Sequence, residues 1–77
     1  MKNVYVDVIC LNEKDGRILP LYLIWKDQVR IPILKVTEIK QGSSLKEAGS
    51  GLQYTCIFHD NRVRHLYYDR GRWYVKS

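Results

Sequence analysis

The side chains best suited to acid–base or nucleophilic chemistry are Cys10, Cys56, His59 and His65, the only cysteines and histidines in the chain. Such catalysis needs two groups within hydrogen-bond reach and a third to orient them. Cys56 with His65 is the pair that a strand register can bring together, and nothing in the sequence orients it. The acidic residues Asp7, Glu13, Asp15, Asp27, Glu38, Glu47, Asp60 and Asp69 are scattered, mostly in turns, where Asp favours the local backbone. No CxxC or Cys/His zinc spacing, P-loop, GxGxxG or EF-hand pattern occurs. The expectation is therefore no catalytic residue, no metal and no cofactor. Both cysteines sit in apolar runs and read as reduced core thiols, with a mutual disulfide as the alternative.

Binding chemistry is better represented. The net charge is +5, and its placement is uneven. Residues 1–61 nearly balance, whereas residues 62–77 carry Arg62, Arg64, Arg70, Arg72 and Lys76 against Asp69 alone. Tyrosines interleave with these cations. Phosphate neutralisation by Arg and Lys, with base stacking on aromatic rings, is what a nucleic-acid platform requires. Arg62, Arg64, Arg72 and Lys76 are the expected phosphate contacts, and Tyr68 and Tyr74 the expected stacking rings. A plainer reading makes the cations a solvated face that guards an edge hairpin against aggregation. A second candidate patch, Tyr22, Trp25, Lys26 and Arg30, suits a peptide instead, or a second copy of the chain, held with an exposed sheet edge.

The elements that must position these residues read as strands. Residues 2–11 alternate, with Val4, Val6, Val8 and Cys10 on one face and Tyr5, Asp7, Ile9 and Leu11 on the other. Asp15-Gly16 is a hairpin signal. Further strands are expected over 17–26, 29–40, 52–59, 62–68 and 72–76. Pro20 and Pro32 imply bulges or bends, the means by which a small sheet curves into a barrel. Residues 41–51 form the one long connection, and Ser44 with Glu47 matches a capping box for a helical turn over Leu45–Ala48. A two-residue loop at Asp60-Asn61 and a three-residue loop at Asp69–Gly71 would place His59, Arg62, Arg64, Tyr68, Arg72, Tyr74 and Lys76 on one face. Tyr54, Cys56, Phe58, Val63, Tyr67, Trp73 and Val75 would then form the core. A four-residue second loop would instead bury Tyr68 with Trp73 and Leu66 with Val75, because a one-residue slip reverses every side chain.

The 77 residues, 45% of them hydrophobic, suffice for one domain spanning 1–77 with one core. The fold class expected is all-β, a small antiparallel five- or six-stranded curved sheet or partly open barrel. Asp7 interrupts the first apolar run too early for a signal peptide, and no run approaches the roughly 20 residues of a membrane-spanning helix. A cytoplasmic protein without membrane contact is expected, and self-association stays open.

From Trp25 to Val75 the chain resembles a group of short, uncharacterised bacterial β-barrel proteins of Firmicute type. The resemblance rests on Trp25-Lys26-Asp27, Lys35-Val36, Ser44-Leu45-Lys46, Tyr54-Thr55-Cys56 and the closing Gly71-Arg72-Trp73-Tyr74-Val75. It implies a bacterial, cytosolic, SH3-like barrel and carries over no functional residue. Gln28 stands where a glycine is expected after Lys26-Asp27.

Overall fold

The computed structural model describes residues 2–41 and 51–76. It contains β1 (Asn3–Asn12), β2 (Ile18–Ile24), β3 (Arg30–Gln41), β4 (Leu52–Phe58), β5 (Val63–Asp69) and β6 (Arg72–Lys76). Each strand pairs antiparallel with the next and β6 returns to β1, so the six close into a barrel in chain order. The expectation of a small all-β barrel holds. The helical turn expected over Leu45–Ala48 lies outside the described residues. Among the described residues no helix is long and apolar enough to cross a membrane.

Closure depends on two long strands whose successive segments pair with different neighbours. β1 pairs with β6 through Asn3–Val6 and with β2 through Asp7–Asn12. β3 pairs with β2 through Arg30–Pro32 and with β4 from Ile33 to Gln41. Bulges at Leu34 and Thr37 bend β3 at this change of partner. Pro20 also sits beside a bulge, since Cys10 faces Pro20 while Ile9 faces Tyr22 and leaves Leu21 over. That extra residue switches the parity of β2. Ile18 and Leu23 consequently both pack on the core, although simple alternation puts them on opposite faces.

The turns fix the remaining register. At residues 14–16 the Glu13 N–H donates to the Arg17 carbonyl at 2.7 Å, and the Arg17 N–H donates to the Asp15 carboxylate at 3.0 Å. The turn at 59–61 repeats this pattern: Phe58 N–H to Arg62 carbonyl at 2.9 Å, and Arg62 N–H to Asp60 Oδ1 at 3.0 Å. It is a three-residue loop whose last member, Asn61, takes the left-handed φ of 66° that Asn tolerates. Between β5 and β6, Asp69 pairs with Arg72 across a two-residue loop, in which Arg70 (φ 54°) and Gly71 (φ 80°) are both left-handed. This is the turn whose twist matches antiparallel strands. The expected loop lengths are thus interchanged. Tyr68 faces Trp73, as in the second of the two expected registers, and the face assignment of the first is corrected.

The core consists of Leu23, Tyr54, Cys56, Phe58, Leu66 and Trp73, with Val6, Val8, Ile31, Ile33, Val36 and Tyr68 among the side chains packed around it. The buried Tyr54 hydroxyl donates to the Ile18 carbonyl at 2.6 Å, so its burial leaves no polar group unpaired. Leu66 is 0% exposed, whereas Val63 is 62% exposed. Leu66→Ala is expected to cost about 2–5 kcal/mol in urea unfolding, and Val63→Ala less than about 0.5 kcal/mol. The reverse ranking would restore the first expected register.

Candidate functional site

The ladder between the last two strands is only three pairs long, as is the one between β2 and β3. The β5–β6 ladder consists of Tyr67, Tyr68 and Asp69 against Tyr74, Trp73 and Arg72. Beyond Tyr74, β6 stays with β1, pairing Val75 with Val4 and Lys76 with Asn3. Meanwhile β5 stays with β4 back to Val63. The two strands therefore part and leave a window. Backbone groups of alternate residues point to opposite edges of a strand. Arg62 bonds toward β4, so Arg64 and Leu66 do as well, and Val63 and His65 direct their N–H and C=O groups into the window.

A cleft of about 780 Å³ opens there. Leu23, Ile31, Phe58 and Val75 supply its apolar part, and Trp25, His59, Arg64, His65, Tyr67 and Lys76 its polar and aromatic rim. Arg64 has the inward parity of Leu66 but remains exposed, because the wall is open at its position. Asp60 also lines the cleft. Its carboxyl is held below its ordinary pKa by the Arg62 backbone N–H and by the Arg62 guanidinium, whose Nε lies 3.4 Å away. Arg62 therefore partners this acid, and the rim keeps Arg64 and Lys76 as cations.

The sequence-predicted nucleic-acid set is divided by this arrangement. Arg64 and Lys76 meet at the cleft, and Arg62 lies exposed at the neighbouring turn. Tyr68 is half-buried and packs on the core with its ring 4.8 Å from that of Trp73, on the face opposite Tyr74. Arg72 and Tyr74 belong to a stack on the outer surface that crosses three strands. The Arg72 guanidinium lies 3.9 Å from the Tyr5 ring, Tyr5 lies 5.5 Å from Tyr74, Tyr74 lies 5.2 Å from Tyr67, and the Lys76 amine sits 4.9 Å from Tyr67. Sandwiched between two rings, Tyr74 is 2% exposed and cannot stack on a base. Its hydroxyl is buried with no hydrogen-bond partner among the described residues. Burial first, and the Asp69 carboxylate next, push its phenol above the usual tyrosine pKa.

The predicted peptide set is divided too. Trp25, 37% exposed, reaches the cleft rim, with the Lys26 amine 5.9 Å from its ring. Tyr22 and Arg30 lie on the outer surface of β2 and β3, the guanidinium 6.0 Å from the tyrosine ring. The sequence alone does not place His59 and His65 at a binding site. Their position depends on where β6 leaves β5, which no local pattern announces.

Neither cysteine serves the cleft. Both are free thiols, and Cys56 is fully buried on the inner face. Cys56 faces Arg64 across the ladder while His65 faces Thr55, so Cys56 and His65 point to opposite sides of the sheet. Among the described residues no group of His, Cys, Asp and Glu could hold a metal. This small closed antiparallel barrel finds no match among protein families, curated proteins or solved structures.

Burial pushes the Cys56 thiol from its ordinary 9 up to about 11. The folded state therefore holds this proton more tightly than the unfolded chain. The resulting stability is complete below pH 9 and is lost as pH rises through about 11, a loss of roughly 2–3 kcal/mol. Urea midpoints measured across this interval are expected to fall more steeply for the native chain than for Cys56→Ala.

Proposed function

We propose that the chain is a non-enzymatic binding module that holds an extended acidic peptide as an added strand in the window between β5 and β6. One observation carries this reading: among the described residues, the β6-facing edge of β5 at Val63 and His65 has no ladder partner, and it borders an apolar cleft rimmed by Arg64 and Lys76. Main-chain bonds to a free strand edge supply affinity, and pockets for alternate side chains supply specificity. An incoming strand would bond to Val63 and His65, turn every second side chain toward Leu23, Ile31 and Phe58, and set its carboxylates beside the two cations. The same cations oppose pairing of this edge with itself, since like charges directly opposite are destabilising. The non-enzymatic part of the reading is supported by Cys56, whose protonated and enclosed thiol is a poor nucleophile. The SH3-like, cytosolic and bacterial character implied by the resemblance accords with a peptide ligand.

A single strand of nucleic acid is the second reading, favoured by the exposed Trp25 indole lying in the same cleft as Arg64 and Lys76. It keeps the predicted phosphate contacts Arg62, Arg64 and Lys76 but exchanges the stacking ring for Trp25.

A fluorescein-labelled peptide of alternating Glu and Leu, its Lys/Leu counterpart and an oligothymidine of about ten nucleotides separate the readings by anisotropy at two salt concentrations. The expected outcome is saturable binding of the acidic peptide, weakened about tenfold by Arg64→Ala/Lys76→Ala, a loss of about 1.4 kcal/mol. N-methylation of alternate peptide nitrogens should abolish it. Binding of the oligonucleotide alone, falling steeply with salt, would replace this reading with the second. Binding of neither would leave Arg64 and Lys76 as guards of an open edge.

A further inference from the structure

The outer surface of β1, β2 and β3 carries partly exposed apolar side chains between two opposite charges. Val6, Val8, Leu23 and Ile31 pack inward, so their alternating neighbours Asp7, Ile9, Tyr22, Ile24, Arg30 and Pro32 face outward. These outward residues align in cross-strand rows. Ile9 pairs with Tyr22 and Tyr22 with Pro32, so an apolar row crosses all three strands. The next row runs Asp7, Ile24, Arg30, with a negative charge at one end and a positive charge at the other. Leu11 at 47% exposure and Leu34 at 60% extend the apolar surface. Contiguous apolar surface that is half exposed, with Tyr22, Leu11 and Leu34 the exposed members, is a place where a small protein can bury area against a partner.

We propose that this face is the contact surface of a homodimer whose two-fold axis runs approximately along β2. The charge pattern selects a second copy as the occupant. Rotation by a half-turn about β2 lays β1 of one copy over β3 of the other. Asp7 then meets the partner subunit's Arg30, and Arg30 meets the partner subunit's Asp7, so one row supplies two ion pairs. Tyr22 and Ile24 fall on the axis and meet their own equivalents, as an isologous contact requires. Sheets stacked face to face in near alignment have this geometry. A polyanion gains nothing from the face because its two charges cancel. With three short strands the contact is small by the standard of stable dimers, so association depends on concentration.

Sedimentation velocity of the full chain over a concentration series tests the proposal. The native chain is expected to pass from monomer to dimer with a Kd on the order of 10 µM. Asp7→Arg sets two arginines against each other at both bridges, and Arg30→Asp sets two aspartates against each other. Each variant alone should stay monomeric at least tenfold beyond the native midpoint. Mixed in equal amounts, the two should form a heterodimer, because the first variant then brings only arginines to the two bridges and the second only aspartates. Near-UV dichroism of buried Trp73 verifies that each variant is folded. Leu34→Glu, on the same face but outside the charged row, should also dissociate the dimer and serves where either charge variant fails to fold. A native chain that stays monomeric throughout, a dimer untouched by these changes, or folded charge variants that do not associate when mixed would each overturn it.

Discussion

The parity of β5 governs the C-terminal half of this molecule. Two left-handed turns flank the strand, one ending at Asn61 and the other formed by Arg70-Gly71. Their lengths decide whether Leu66 and Tyr68 or Val63 and Tyr67 enter the core. With three residues in the first turn and two in the second, Leu66 lies against Tyr54, and Tyr68 against Trp73. A chain this small has one core and little stability to spare, so a slip that exchanged Leu66 and Tyr68 for His65 and Tyr67 would not be tolerated. The cation–aromatic stack on the outer surface is the complement of the same choice. Tyr67 and Tyr74 can lie nearly parallel only because both point away from the core, where Tyr5 of β1 reaches them.

The stack also accounts for where the barrel opens. Its five side chains join β1, β6 and β5, and aromatic pairs of this type contribute about 0.5–1.5 kcal/mol each. At that level β5 and β6 are held together from inside by Tyr68 with Trp73 and from outside by Tyr67 with Tyr74. One residue further, Val75 and Lys76 follow β1, while β5 remains committed to β4. A strand in a closed ring cannot follow two diverging neighbours without a bulge, and β6 at five residues contains none. The window is therefore a consequence of closure. What makes it chemically distinct is that Arg64, Lys76 and two histidines surround it.

Much of the fold was legible in the sequence because its signals are local. Alternation located the first, second and fourth strands, turn signals the others, and prolines marked where the sheet bends. The consequence of the bulge was not legible: Leu21 breaks the alternation of β2, and no composition rule states which residue is the extra one. The first C-terminal turn was readable in retrospect. Lys14-Asp15-Gly16-Arg17 and His59-Asp60-Asn61-Arg62 share one pattern, an Asp whose carboxylate accepts from the Arg N–H, and both close three-residue loops. Asp69-Arg70-Gly71 differs because Arg70 itself takes a left-handed φ, a conformation that arginine gives no cause to expect. From that point the predicted site divides. Arg64 and Lys76 stayed together because they lie across the same gap, while Tyr68 and Tyr74 were lost to opposite faces of one wall.

The sheet faces and edges answer different physical demands, and their charge patterns separate their uses. Among the described residues the window edge has backbone groups without a ladder partner, and in the proposed reading its cations, of one sign, disfavour a second copy of the chain. The rows proposed for the outer face of β1–β3 lie within ladders and present side chains. There, attraction must come from apolar area, and discrimination from a row whose ends carry opposite charge. A half-turn brings those ends together, whereas an acidic or a basic surface would meet one favourable and one unfavourable charge. The two proposed uses thus rest on separate residues, since Asp7 and Arg30 lie outside the cleft.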